Sequence, residues 1–124
     1  MTINWKRYPN FREKEFRCHC GCGEFKESEE LVRKLQAVRL ICNFPVTVLS
    51  GFRCVKHNKK VGGATNSAHT RGTAADIRRP ESGPALKQLI EAIFSVGFRG
   101  FGMGAGKLHI DVDDLGSRAW MYSK

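Results

Sequence analysis

The segment S-A-H-T-R-G-T-A-A-D at residues 67–76 most constrains how this 124-residue chain can fold. It places His69 and Asp76 seven positions apart, too far for adjacent turns of one helix and awkward for a single strand. A turn at Arg71-Gly72 must therefore fold the two side chains together, and a glycine suits such a turn. Residues 74–77 then predict a short buried strand that carries Asp76.

A second pattern lies near the C-terminus, where L-H-I-D-V-D at residues 108–113 alternates between apolar and polar side chains. This alternation is typical of a strand with one buried face. His109, Asp111 and Asp113 would share one face of that strand. An imidazole and nearby carboxylates would then point in the same direction.

Two imidazoles and one carboxylate form a zinc-ligand set that leaves a fourth position for water, whose pKa falls to about 7 on the metal. His69, Asp76 and His109 are candidates for this set. The other two histidines, His19 and His57, lack strand-like neighbours together with a carboxylate, and we expect His57, which lies among lysines, to be solvated.

Five short motifs follow one another along the chain. They are S-G-F-R at 50–53, H-N at 57–58, V-G-G at 61–63, S-x-H-x-x-G-x-A-x-D at 67–76 and H-I-D at 109–111. In this order they resemble the zinc D-alanyl-D-alanine carboxypeptidase superfamily, which includes phage L-alanyl-D-glutamate endolysins and the hedgehog-like zinc fold. The resemblance extends over residues 28–122 and is nearest to a branch of short, single-domain peptidases.

The resemblance implies a fold, a cofactor and a set of site residues. The fold is α+β, with a small antiparallel sheet and helices packed mainly on one side. His69, Asp76 and His109 would hold one catalytic Zn²⁺, and Ser67 would help to shape the substrate cleft. Arg53 would polarise the scissile carbonyl or bind a substrate carboxylate, because a guanidinium fork suits both tasks.

The chain departs from the resemblance at the general base. Relatives carry Glu or Asp three residues before the last ligand, or His two residues before it, whereas this chain has Gly106 and Lys107. Asp111 is our candidate for the proton transfer, a step worth about 10²–10⁴ in rate. The alternative is that Asp111 orients an imidazole, and the sequence leaves both roles open. We expect Asp113 to be solvated.

Length and composition predict a single domain, residues 1–124, with 1–27 as a Cys- and Gly-containing N-terminal extension packed on it. The chain has no run of about 18 apolar residues and no charged-then-apolar leader. We therefore expect a protein made in the cytoplasm without a signal peptide, and we expect a monomer. If the substrate is the cell wall, as the resemblance implies, another factor would have to release the protein to the bacterial cell wall or periplasm.

The formal net charge of +9 predicts attraction to polyanions. Few aromatic residues lie among the basic ones, and no nucleic-acid-binding motif is present. We therefore expect no specific nucleic-acid partner. Anionic wall or outer-membrane polymers and carboxylate-bearing stem peptides fit this charge.

Five cysteines exclude a complete set of disulfides within one chain. Three lie in C-H-C-G-C at residues 18–22, and Cys42 and Cys54 lie elsewhere. One interpretation is a second, Cys-bound metal ion that also uses His19 and perhaps Cys54. The other, which we favour for a chain made in a reducing compartment, is reduced thiols packed in a glycine-rich loop.

The remaining patterns predict scaffold. Ser28 can cap a helix, and a second helix would begin near Pro84 and end at Gly97. Residues 45–49 predict a strand, and residues 100–106 a loop or sheet edge at the rim of the cleft. We expect Trp120 to close the core.

These patterns and the resemblance together favour a zinc peptidase, and the resemblance implies that it hydrolyses a peptide bond in peptidoglycan stem peptides or cross-links, as a phage endolysin does. One alternative is a non-catalytic, hedgehog-like zinc domain that binds a partner. Another is a basic nucleic-acid-binding module with structural zinc at the cysteines, which predicts DNA binding that falls steeply with salt.

Overall fold

The computed structural model describes residues 2–122 and contains one five-stranded sheet, four α-helices and two short 3-10 helices. The strands are β1 (Val48–Ser50), β2 (Ala74–Arg78), β3 (Gly100–Met103), β4 (Lys107–Asp111) and β5 (Arg118–Met121). The α-helices are α1 (Glu13–Phe16), α2 (Glu29–Cys42), α3 (Val55–Lys60) and α4 (Gly83–Val96). The 3-10 helices span Trp5–Arg7 and Ala68–Arg71.

The two long helices begin at serine caps. The hydroxyl of Ser28 accepts a hydrogen bond from the amide of Leu31 (3.3 Å), and that of Ser82 accepts from Ala85 (3.1 Å). Each bond satisfies an amide that has no partner within its helix. Helix α4 ends at Val96 and is followed by its C-cap, Gly97, whose φ of 92° favours a glycine.

The strand order is β1-β2-β4-β3-β5, and all neighbours are antiparallel except β3 and β5, which run parallel. This confirms the predicted α+β fold with a mostly antiparallel sheet. The expectation of a loop or sheet edge at residues 100–106 is wrong for β3, which lies between β4 and β5. Strand β1 starts later than the strand predicted at 45–49.

The two faces of the sheet have different roles. Ile77, Leu108 and Ile110 point to one face and are fully buried in a core that includes residues of α2 and α4. Phe11 and Phe16, from the N-terminal segment, belong to the same core. Alternation along β2 and β4 then directs the polar side chains between these residues to the opposite face.

None of the helices within residues 2–122 combines the length and the hydrophobicity that a membrane-spanning helix requires.

Candidate metal centre

The loop before β2 brings His69 next to Asp76. The hydroxyl of Ser67 accepts a hydrogen bond from the amide of His69 (3.1 Å) and starts the 3-10 helix. Gly72 ends this helix with φ 74°, and a Cβ there would lie 2.6 Å from the carbonyl oxygen of Lys26. Only glycine meets both conditions without strain, so the predicted turn forms at this position.

Three side chains that we predicted as metal ligands meet on the face of the sheet opposite the core. Asp76 on β2 is the register partner of His109 on β4. Oδ1 of Asp76 lies 3.2 Å from Nε2 of His69 and 3.1 Å from Nδ1 of His109. The three residues are all buried, and their ligand atoms lie within 4.8 Å of one another.

The outer nitrogen of each imidazole has its own partner. Nδ1 of His69 donates to the carbonyl oxygen of Gly51 (2.7 Å), and Nε2 of His109 donates to Oδ2 of Asp111 (2.7 Å). These contacts leave Nε2 of His69 and Nδ1 of His109 as the nitrogens with a free lone pair. Both face Asp76, as the ligands of one metal ion must.

The pKa values agree with this donor set. Burial lowers the pKa of His69 and favours its neutral form. Burial alone would raise the pKa of Asp76, but its contacts with His109 and His69 hold it well below its ordinary value. Burial alone would lower the pKa of His109, yet its contacts with Asp111 and Asp76 raise it. A bound cation would take the place of the proton that these carboxylates favour on His109.

Arg53 reaches the cluster from the loop after β1. Its Nη2 donates to Oδ2 of Asp76 (3.1 Å), Nη1 to Oδ1 of Asn58 (3.0 Å) and Nε to the hydroxyl of Ser50 (3.1 Å). We did not expect the role of Asn58, which is buried and supports Arg53 from α3. A Cβ at Gly63 would lie 2.0 Å from Oδ1 of Asn58. The H-N and V-G-G motifs are thus parts of one contact that holds Arg53.

Asp111 lies behind His109, away from Asp76. It is fully buried, and its Oδ2 accepts hydrogen bonds from both His109 and Nη2 of Arg118 (2.6 Å). These partners lower its pKa, although burial alone would raise it. Of the two roles left open for Asp111, this geometry favours orienting His109.

Asp113 is not solvated, contrary to our expectation. It is 4% exposed, and its carboxylate accepts from Nε and Nη2 of Arg71 (2.8 and 2.9 Å) and from the hydroxyl of Thr73 (2.7 Å). The alternation of β4 continues beyond the strand because the amide of Val112 donates to the carbonyl of Thr73 (3.0 Å). Asp113 therefore stays on the same side as the cluster.

The cluster lies in a hollow of about 500 Å³. Its lining includes Arg53, Ser67, Lys107, Arg118, Trp120 and Tyr122. The expectation that Trp120 closes the core is wrong, because its ring lies 5.0 Å from that of His109. From the sequence, alternation along β5 could have predicted that Arg118 and Trp120 share one face of the strand. It could not have predicted that β5 pairs with β3. The amine of Lys107 lies 3.4 Å from Oδ2 of Asp76 and 4.5 Å from the centre of the Tyr122 ring.

Comparison with known proteins identifies the family of this fold. A family model described as Peptidase M15 matches residues 9–113, a range that contains all three clustered side chains. The chain belongs to the peptidase M15 family. The M15 match also begins inside the segment 1–27 that we expected to be an extension.

A curated relative of this M15 chain is the zinc D-Ala-D-Ala carboxypeptidase of Streptomyces albus G. The two are 53% identical over 45 residues, which amount to 36% of this chain and 18% of the relative. The chain thus matches less than a fifth of the length of that protein.

Proposed function

We propose that this protein is a zinc-dependent peptidase that hydrolyses a peptide bond in peptidoglycan stem peptides or cross-links. The observation that carries the proposal is the buried cluster of His69, Asp76 and His109 at an open hollow, in a chain of the peptidase M15 family. Similarity to a zinc D-Ala-D-Ala carboxypeptidase supports both the metal and the class of substrate.

The cluster fits zinc in its chemistry. Imidazole nitrogen and carboxylate oxygen are zinc ligands, and three protein donors leave a position for substrate or water. His69, Asp76 and His109 would hold the ion, each with its donor atom already turned inward. When bound, zinc supplies a Lewis acid and makes water more acidic.

Arg53 acts on the substrate in this proposal. Its three hydrogen bonds use three of the five N–H groups of a guanidinium and hold the group beside Asp76. The remaining N–H groups can donate to the oxygen of the scissile carbonyl, where negative charge develops, or to a substrate carboxylate. A rigidly held donor is effective because it needs little reorganisation during the reaction.

The remaining lining suits an anionic peptide. Lys107 and Arg118 add two positive charges to that of Arg53, and Asp76 alone among the lining residues that the structure describes is acidic. Stem peptides carry free carboxylates, which such a lining attracts. Ser67 shapes the wall of the hollow by starting the helix that carries His69. Trp120 offers an aromatic surface beside His109.

The biological role that we propose is lysis or remodelling of the bacterial cell wall, as performed by phage endolysins. The net charge of +9 supports this role, because cell walls contain anionic polymers. Since the proposed substrate is the wall itself, we infer that the protein acts at the wall or in the periplasm, after release by another factor.

The proposal is tested by digesting purified peptidoglycan and reading the products by mass spectrometry. The samples are the protein as purified, chelator-treated protein, zinc-restored protein, and the variants His109→Ala and His19→Ala. We expect cleavage that disappears with chelator or in His109→Ala and returns with zinc. His19→Ala is the matched control, because His19 is exposed and lies outside the cluster. The product masses identify the bond that is cut.

A second candidate function rests on a specific observation. Among residues 2–122, no carboxylate other than that of Asp76 lines the hollow, and Gly106 and Lys107 occupy the positions where relatives carry a base. This favours a non-catalytic zinc domain that binds a partner, as in hedgehog proteins. Failure of folded, zinc-loaded protein to cleave walls of several chemotypes would support this alternative and contradict the peptidase.

A further inference from the structure

A second group of potential metal ligands lies outside the hollow. The sulfur atoms of Cys18, Cys20, Cys22 and Cys54 all lie within 4.8 Å of one another. Three of them come from the N-terminal segment, and Cys54 is the residue that caps helix α3. From the sequence we considered His19 as a further ligand. Within residues 2–122, the group contains only the four cysteines and not His19.

The sulfur distances match a tetrahedral zinc site better than a disulfide. Zn–S bonds of about 2.3 Å in a tetrahedron place the sulfur atoms roughly 3.8 Å apart. Sγ of Cys20 lies 3.7 Å from that of Cys54 and 3.3 Å from that of Cys18. A disulfide would require about 2.0 Å. All five cysteines have free thiols.

The backbone around the cysteines is arranged to stabilise thiolates. The amide of Cys54 donates to the sulfur of Cys18 (3.4 Å), that of Glu24 to Cys22 (3.4 Å) and that of His57 to Cys54 (3.3 Å). Three of the four sulfurs thus accept a backbone hydrogen bond, an interaction that favours the charged form.

Glycines and positive charges complete the site. Gly21 and Gly23, which flank Cys22, both have φ 80°, so the chain turns sharply at each side of this cysteine. Four thiolates around Zn²⁺ carry a net charge of about −2. A separate, smaller pocket lies at the cysteines, and its lining includes Cys20, Cys22 and Cys54 together with Lys56 and Lys60. The two lysines offset the negative charge of the thiolates there.

We propose that Cys18, Cys20, Cys22 and Cys54 bind a structural zinc ion, distinct from the ion of the hollow. Four protein ligands leave no position for substrate, so the ion would stabilise the fold and would not catalyse a reaction. It would connect two segments that are 36 positions apart, Cys18 to Cys54.

The four cysteines lie next to Arg53, whose side chain lines the hollow. Arg53 directly precedes Cys54, and the amide of Phe52 donates to the carbonyl of Phe16 (2.8 Å). The ion would hold this junction and with it the backbone of Arg53, whose amide donates to the carbonyl of His69 (3.1 Å). The structural ion would thus fix the position from which Arg53 reaches Asp76.

Metal analysis separates the two sites. For protein purified with zinc, we expect about two equivalents per chain in the wild type and about one in either His109→Ala or the double variant Cys20→Ala/Cys22→Ala. The combined variant should retain none. Cys42→Ala is the matched control and should keep both equivalents, because Cys42 lies in the core away from the group.

Cobalt provides a test that needs no cysteine substitution and therefore holds even if the cysteine variants fail to fold. Co²⁺ added to metal-free wild-type protein or to His109→Ala should produce intense thiolate-to-cobalt charge-transfer bands. Absence of these bands, or a disulfide among the four cysteines in protein kept reduced, would overturn the proposal. A wild type with a single zinc ion that His109→Ala removes would also overturn it, while leaving the proposed peptidase intact.

Discussion

Asp111 shows how much one contact changes the interpretation of a residue. Its carboxylate has no solvent exposure and is held between Nε2 of His109 and the guanidinium of Arg118. A group in this position can fix the orientation of His109 and strengthen it as a ligand. Asp111 is not among the residues that line the hollow, where a proton acceptor would have to meet the attacking water.

We predict that Asp111→Asn weakens zinc binding by roughly 10–100-fold, the range for loss of a carboxylate that orients a metal-binding imidazole. Peptidoglycan cleavage should then recover at saturating zinc. Zinc titration and cleavage rates measure both effects. Asp114→Asn is the control, since Asp114 is fully exposed. A loss of about 10²–10⁴ in rate that persists at full zinc occupancy would instead identify Asp111 as the base.

Glu27 is a residue to which we assigned no role. Both of its carboxylate oxygens are buried without a hydrogen-bond partner among the described residues. Burial raises the pKa of Glu27 to about 10, although the nearby amide of Ser28, which donates to Gly72, acts in the opposite direction. A neutral acid is therefore favoured in the folded state at neutral pH.

We predict that Glu27→Gln stabilises the fold increasingly as pH rises. The folded-state pKa lies above the unfolded value of 4.5, so the contribution of Glu27 is fully present below that value and is lost as pH rises towards about 10. The slope is at most about 1.4 kcal/mol per pH unit. Urea unfolding at about pH 5 and about pH 9 measures the difference. Exposed Glu81→Gln should show none, and equal effects for both variants would contradict the prediction.

At the level of elements, the glycines of strand β3 determine how closely its neighbours pack against it. A Cβ at Gly100 would lie 2.2 Å from Oδ2 of Asp111, and a Cβ at Gly102 would lie 2.6 Å from the indole of Trp120. The absence of side chains lets Asp111 and Trp120 lie across this strand. A glycine-rich segment thus forms an inner strand because its neighbours supply the packing.

We predict that Gly100→Ala destabilises the protein by about 1–3 kcal/mol, the usual cost of overpacking, and lowers zinc affinity because Asp111 is displaced. Gly106→Ala is the matched control, since a Cβ there meets nothing within 4 Å. Its effect should remain within about 0.5 kcal/mol. Denaturant unfolding and zinc titration compare the two variants, and equal stability would refute the role of Gly100.

At the level of the whole molecule, the sheet separates two tasks. Helices α2 and α4 cover one face and form the core, while the other face carries the cluster and the hollow. Helix α3 leads directly into the rim of that hollow, and α4 lies on the opposite side. Positive charge near the hollow should therefore matter more for wall binding than the same charge on α4.

We predict that binding to purified cell walls weakens as salt rises, because screening at about 0.15 M ionic strength acts over roughly 8 Å. Lys59→Glu on α3 should weaken binding more than Lys87→Glu on α4, although both lower the net charge equally. Co-sedimentation with walls at several salt concentrations measures this. Binding that is independent of salt would contradict the proposed attraction.

The local patterns of the sequence predicted the elements that carry the site. Strand alternation placed His109 and Asp111 on one face, and the glycine at position 72 marked the turn that returns the chain from His69 to Asp76. The family motifs indicated these residues as well. Such predictions succeed because caps, turns and alternation depend on residues a few positions apart.

Only the tertiary structure decided how separate segments meet. It paired Asp113 with Arg71, placed Trp120 beside His109, and brought Cys54 to the three N-terminal cysteines. These contacts depend on strand order and loop closure, which residues distant in sequence determine together. The residue types of the site could therefore be recognised from the sequence, whereas the contacts of Asp111 and the grouping of the four cysteines required the fold.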